Sequence, residues 1–144
     1  MIEVVGNLWT YPADVRVITT NGFVKTNGEC VMGRGCALEA KNQWPDIAKK
    51  LGDEIKESGN HVALLRSNDP VLFSFPVKHK WFEKADIELI RQSAIDLRKL
   101  TKCMGTVVLP RPGCGNGQLR WEDVKPVLEP ILDDRFHVIT FNKE

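Results

Sequence analysis

Short β-branched runs alternate with amphipathic stretches along the whole chain, and this alternation narrows the folds open to it more than any other feature. Residues 2–5, 15–19, 62–65, 71–75, 106–109 and 137–141 read as strands. Over residues 85–100, Ile87, Ile90, Ala94 and Leu97 recur at three- and four-residue spacing, which predicts a helix covering an apolar surface. Gly105 suits a left-handed stop after it, and a strand begins at once. Further helices are predicted over 36–41, over 45–51, where Pro45 suits a first turn and Gly52 a stop, and over 121–132, where Pro126 is tolerable only in the opening turn. About six strands with helices on both faces predict an α/β fold, a three-layer α/β/α sandwich. Alternation alone leaves the strand directions open.

The chain has 144 residues, which argues for one domain over 1–144; 42% are hydrophobic and 27% charged, so it is expected to fold without an obligate protein partner. Twenty Lys and Arg against nineteen Asp and Glu leave a net charge of +1, which supplies no global field for a phosphate backbone. No apolar run approaches the ~20 residues that span a bilayer, and the first ten residues lack a basic leader with an apolar stretch. The expected setting is cytoplasmic, with no membrane partner. Cys30, Cys36, Cys103 and Cys114 form no C-x-x-C pair and lie far in sequence from His61, His79 and His137. They are expected to be reduced core or loop residues, with no metal site, and nothing else calls for a cofactor.

Two glycine loops follow strands. After Thr19-Thr20-Asn21-Gly22 comes Val31-Met32-Gly33-Arg34-Gly35-Cys36-Ala37, which opens a helix. Glycines let backbone N–H groups approach a phosphate, and a helix N-terminus adds about half a positive charge. The spacing is neither the dinucleotide fingerprint nor a Walker loop. The second loop is Leu109-Pro110-Arg111-Pro112-Gly113-Cys114-Gly115-Asn116-Gly117, whose composition favours positive φ and an amide-lined concavity. Either loop alone serves equally well as a tight connection; two of them at strand ends favour a split cradle for a diphosphate.

A third segment, Phe73-Ser74-Phe75-Pro76-Val77-Lys78-His79-Lys80-Trp81, carries a strand into a basic and aromatic loop. Lys78 stands just past the predicted strand end, where sites gather, although an ordinary solvated lysine fits the same residues. Trp81 and Phe82 suit stacking on a base or ribose, and equally suit closing the core under the next helix.

Together these motifs, with Gly6-Asn7-Leu8 before them and Leu119-Arg120-Trp121 after them, resemble the macrodomain family of ADP-ribose-binding modules over nearly the whole chain. The resemblance is nearest to the branch of bacterial DNA ADP-ribosyl glycohydrolase antitoxins and terminal ADP-ribose glycohydrolases, which includes small stand-alone bacterial and phage relatives. It implies a mixed central sheet. It also implies a substrate-binding set of Asn7, Thr20, Asn21, Met32, Gly33, Arg34, Gly35, Pro110, Gly113, Cys114, Gly115, Asn116 and Gly117. Asn21 and residues 33–35 match the part facing the distal ribose, and residues 113–117 the loop around the diphosphate. Lys78 matches a lysine that this branch uses at the anomeric carbon, which makes it the expected catalytic residue, with its pKa depressed by burial or by His79 and Lys80.

Two positions depart from the pattern. Many macrodomains have an aspartate where this chain has Asn7, and an amide accepts the adenine hydrogen bond without the charge. The terminal ADP-ribose enzymes carry an aspartate where this chain has Gly117, and its absence resembles the DNA-acting branch. The implied function is hydrolytic removal of ADP-ribose from a nucleobase or side chain, ADP-ribosylated DNA among the candidate substrates. The alternatives are a non-catalytic ADP-ribose reader, an ADP-ribose phosphate phosphatase, and a nucleic-acid-binding module using Lys78, Lys80, Trp81 and Lys84.

Overall fold

The computed structural model describes residues 1–141. Six strands, β1 (Ile2–Val5), β2 (Val15–Asn21), β3 (Leu64–Arg66), β4 (Val71–Lys78), β5 (Val107–Pro110) and β6 (Phe136–Thr140), form one sheet in the order β1-β6-β5-β2-β4-β3. All neighbours pair in parallel except β3 with β4, so the sheet is mixed. Four helices, α1 (Gly35–Gln43), α2 (Ile47–Ser58), α3 (Ile87–Leu100) and α4 (Trp121–Leu128), cover it.

The apolar residues divide into two clusters, one on each face of the sheet. Ala40 of α1 and Leu51 of α2 pack with Ile18 and Leu72, whereas Ile90 and Leu97 of α3 and Val124 and Leu128 of α4 pack with Val17, Phe75 and Leu109. Successive strand residues point to opposite faces, so the near-continuous apolar runs of β2, β4 and β5 are what a sheet covered on both sides requires.

Two helix ends differ from expectation, while α3 ends at Leu100 as expected. α2 runs straight through Gly52 and ends at Gly59, where φ is +87°. Gly52 is there for space, because a Cβ on it would fall on the carbonyl oxygen of Gly28. α4 ends at Leu128 and holds Pro126 beyond its opening turn, so it forgoes one internal hydrogen bond. Gly105 has the expected positive φ of 88°, but a turn over 101–104 separates it from α3.

α3 begins at a built cap. The Asp86 carboxylate accepts from Glu88 N at 2.9 Å and lies 2.8 Å from His79 Nε2. The hydrogen bond to His79, helped by the N–H groups of Glu88 and Leu89, holds the Asp86 carboxyl below its ordinary value. Asp86→Ala is expected to cost about 1 kcal/mol, or roughly 2–5 °C in melting temperature. A depressed carboxylate pKa gives stability that is present above the unfolded value of about 3.9 and is lost as pH falls through the folded value. The melting temperatures of the two proteins should therefore differ at pH 6 and draw together as pH falls below about 3.9; a constant gap would remove the carboxylate from the cap.

Candidate functional site

Because β5, β2 and β4 are adjacent and parallel, their carboxyl ends, Pro110, Asn21 and Lys78, reach the same edge of the sheet. The chain leaves β2 towards one side and returns through α3 to β5 on the other side, the arrangement that opens a crevice in α/β sheets. A cavity of about 660 Å³ lies there. Of the expected set, Thr20, Asn21, Met32, Gly33, Arg34, Gly35, Lys78, Pro110, Gly113, Gly115, Asn116 and Gly117 line it. Asn7 and Cys114 do not: Asn7 Oδ1 accepts from Trp9 N at 2.8 Å, and the Cys114 thiol turns back to the Pro112 carbonyl at 3.4 Å.

The first loop is a hairpin folded on the Asn21 amide. Asn21 Nδ2 donates to Val31 O and Asn21 Oδ1 accepts from Phe23 N, both at 2.9 Å. One amide hydrogen stays available to a ligand. The hairpin delivers the chain to α1, whose first turn, Gly35, Cys36 and Ala37, lines the cavity with no side-chain cap and no acidic residue. The first internal bond is Leu38 N to Arg34 O, so the N–H groups before it have no helical partner and suit an anion.

In the second loop Gly113 has φ +74°, and a Cβ there would also meet Ile90 Cδ1 at 2.8 Å. Among the non-glycine residues described, Gln118 rather than Asn116 takes positive φ, at 65°. Gly117 sits tightly: an added Cβ would lie 2.5 Å from Gly113 O and 2.8 Å from the Ala85 methyl, while Ala85 N donates to Gly117 O at 2.9 Å. An aspartate at 117 has no room unless this loop shifts. The two loops meet where the position of a Cβ on Gly35 comes within 3.5 Å of Asn116 Nδ2.

Lys78 stands opposite Asn21 in the β2–β4 pairing. Its Nζ donates to the carbonyls of Asn116 at 3.0 Å and Trp81 at 3.3 Å, which places the amine between the second loop and the loop after β4. Burial lowers its pKa below 10.5, and the Arg34 charge lowers it further. Burial was one of the two expected causes; the contributing cation is Arg34 of the first glycine loop in place of His79 or Lys80, and the His79 ring is engaged by Asp86.

Lys25, Arg34, Lys78 and Arg111 line the cavity, and among the described residues no Asp or Glu does. Two buried side-chain atoms in the described residues lack a hydrogen-bond partner, Thr20 Oγ1 and Arg111 Nε, and both belong to cavity-lining residues. Arg111 is held in place by Glu3 at 3.2 Å and lies over the Trp121 ring at 4.8 Å.

Sequence reasoning passed over Phe23, Lys25, Cys36 and Arg111 as lining residues. Phe23 and Lys25 follow the Asn21-Gly22 turn directly, and Arg111 follows the last residue of β5, so proximity to strand ends was the signal available.

No family model matches the sequence. The chain is 30% identical over 137 residues to the DNA ADP-ribosyl glycohydrolase of Thermus aquaticus, a match covering 89% of this chain and 36% of that protein. It thus spans little more than a third of that relative. It is 28% identical over 107 residues to the Bos taurus ADP-ribose glycohydrolase OARD1, covering 73% of this chain and 69% of that one. Among solved structures, the macrodomain of Mycobacterium tuberculosis DarG superposes with a TM-score of 0.78 at 25% identity, covering 96% of this chain and 95% of the other.

Proposed function

Since the chain belongs to the macrodomain family, in the branch of the DNA ADP-ribosyl glycohydrolases and terminal ADP-ribose glycohydrolases, we propose that it is a hydrolase that removes ADP-ribose from ADP-ribosylated DNA through Lys78. The observation that carries the reading is the Lys78 amine, shifted towards its neutral form, in a cationic cavity between two amide-lined loops. The cramped position of Gly117 supports the DNA-acting side of the branch, because it excludes the aspartate expected of the terminal enzymes. A cytoplasmic setting keeps thiols reduced and agrees with four free cysteines.

In this reading the free N–H groups of α1, the second loop and the cations hold the diphosphate, and the distal ribose lies against Asn21 and Lys78. The neutral amine attacks the anomeric carbon of the distal ribose. The carbon–substituent bond breaks with its electron pair on the substituent, which takes up the proton that Nζ gives away. Water then cleaves the carbon–nitrogen bond, which restores the amine and releases ADP-ribose, so the sum is hydrolysis of one bond. No metal is called for.

Calorimetric titration of the purified protein with ADP-ribose, AMP and NAD tests the binding half. ADP-ribose is expected to bind at micromolar level, about −8 kcal/mol, with AMP much weaker. Release of ADP-ribose from a modified oligonucleotide tests the chemical half; tight binding without release would leave a reader.

The pH profile tests how the amine is tuned. The neutral form is active, so kcat rises with pH through the Lys78 pKa, which burial and Arg34 lower from the ordinary 10.5. A neighbouring positive charge favours the neutral form, so Arg34→Gln raises that pKa and moves the rising limb to higher pH at saturating substrate. A limb that stays in place would remove Arg34 from the account.

A further inference from the structure

Beside Lys78 the cavity is lined by an exposed aromatic residue, Trp81, that the reading above gives no role. Trp81 lines the cavity and is 48% exposed, and Phe82 next to it is 60% exposed, the two rings edge to face with centroids 5.3 Å apart. The loop that presents them is tied down. Gly22 N donates to the carbonyls of Lys78 and His79, Lys80 N donates to Glu83 Oε1 at 3.0 Å, and His79 meets Asp86. Exposure of two large rings here is therefore a property of a fixed loop. Across the β2–β4 boundary, Phe23 and Lys25 line the cavity from the first hairpin, and Lys80 Nζ stands 5.9 Å from the Phe82 ring centre.

Lys78 Nζ donates to the Trp81 carbonyl, so Trp81 is the aromatic residue bound to the reacting amine itself. The loop that holds the reacting amine therefore also carries the indole, and both residues line the same cavity. An indole face is electron-rich: it repels a carboxylate and attracts a planar heteroaromatic ring. We infer that Trp81 forms the leaving-group subsite of this cavity and that the group it takes is a nucleobase stacked on the indole, not a carboxylate side chain. The inference rests on the reading of Lys78 as the group acting on ADP-ribose.

The test uses the Lys78→Ala protein, which holds substrate without cutting it, at about 150 mM salt to limit unspecific phosphate contacts. Its affinities are measured for ADP-ribose, for a single-stranded oligonucleotide with ADP-ribose on a base, for the same oligonucleotide unmodified, and for a peptide with ADP-ribose on a glutamate. The modified oligonucleotide is expected to bind about tenfold or more tightly than ADP-ribose, the gain that stacking of one base gives. Adding Trp81→Ala should remove most of that ratio, and Trp81→Phe should keep most of it. A ratio near one, a ratio that survives Trp81→Ala, or an equal gain for the peptide overturns the inference. Hydrolysis by the unmutated protein is recorded separately. Failure to cleave either substrate, with the affinity ratio intact and lost on Trp81→Ala, sinks the lysine chemistry and upholds the subsite.

Discussion

Lys78→Arg is expected to be as inactive as Lys78→Ala, with kcat for ADP-ribose release lower by on the order of 10³-fold or more in both. Arginine keeps the positive charge and the reach but stays protonated at any pH the fold tolerates, so it cannot supply a lone pair. The pair of substitutions separates two jobs open to a cation at this point of the cavity. If Lys78 acts as a nucleophile, charge is irrelevant and both variants fail together. If it only screens the diphosphate, Lys78→Arg keeps most of the activity and Lys78→Ala loses ADP-ribose affinity. For the nucleophile, affinity should stay within about fivefold in Lys78→Ala, because the amine is already engaged by the Asn116 and Trp81 carbonyls and Lys25, Arg34 and Arg111 remain to meet the diphosphate. Single-turnover rates and calorimetry on the same preparations decide; full turnover by Lys78→Ala would end the proposal.

What the sequence discloses depends on how local its cause is. The six strands and four helices lie close to where β-branched runs and the Ile87, Ile90, Ala94, Leu97 stripe put them, because a sheet covered on both faces demands those runs. Their order across the sheet, with β2 between β5 and β4, depends on pairings between residues as far apart as Val15 and Val107. The two glycine loops were legible because each glycine run stands directly before a helix start or after a strand end in the sequence itself. The depressed Lys78 pKa was also legible, but not its second cause, since Arg34 reaches the amine only through the fold. Asn7 was expected from the family resemblance alone, and the structure adds what no local pattern disclosed, that its oxygen accepts from Trp9 N within its own turn.

Gly52→Ala should lower the melting temperature by roughly 5–10 °C, about 2 kcal/mol, although helix propensity alone predicts a gain of about 1 kcal/mol. The two arguments have opposite signs, so the experiment decides between them. Gly52 lies inside α2, where alanine is the better helix former. Its α-carbon, however, faces backbone: a new Cβ would coincide with Gly28 O, stand 3.0 Å from Gly28 C and 3.2 Å from Cys30 N. Flexible side chains yield to a methyl group, whereas this turn is fastened by Cys30 N donating to Ala48 O at 2.9 Å and by Gly28 N donating to Lys25 O at 2.9 Å. Accommodation requires the hairpin to lift from the helix. Phe23, Lys25 and Val31 of that hairpin line the cavity, so the substitution should weaken ADP-ribose binding as well as stability. Glu54→Ala, exposed on the same helix, serves as the control and should change stability by no more than about 0.5 kcal/mol. A Gly52→Ala protein as stable as the parent would mean that α2 and the Gly28 turn are not packed together as described, and the first loop would lose its support.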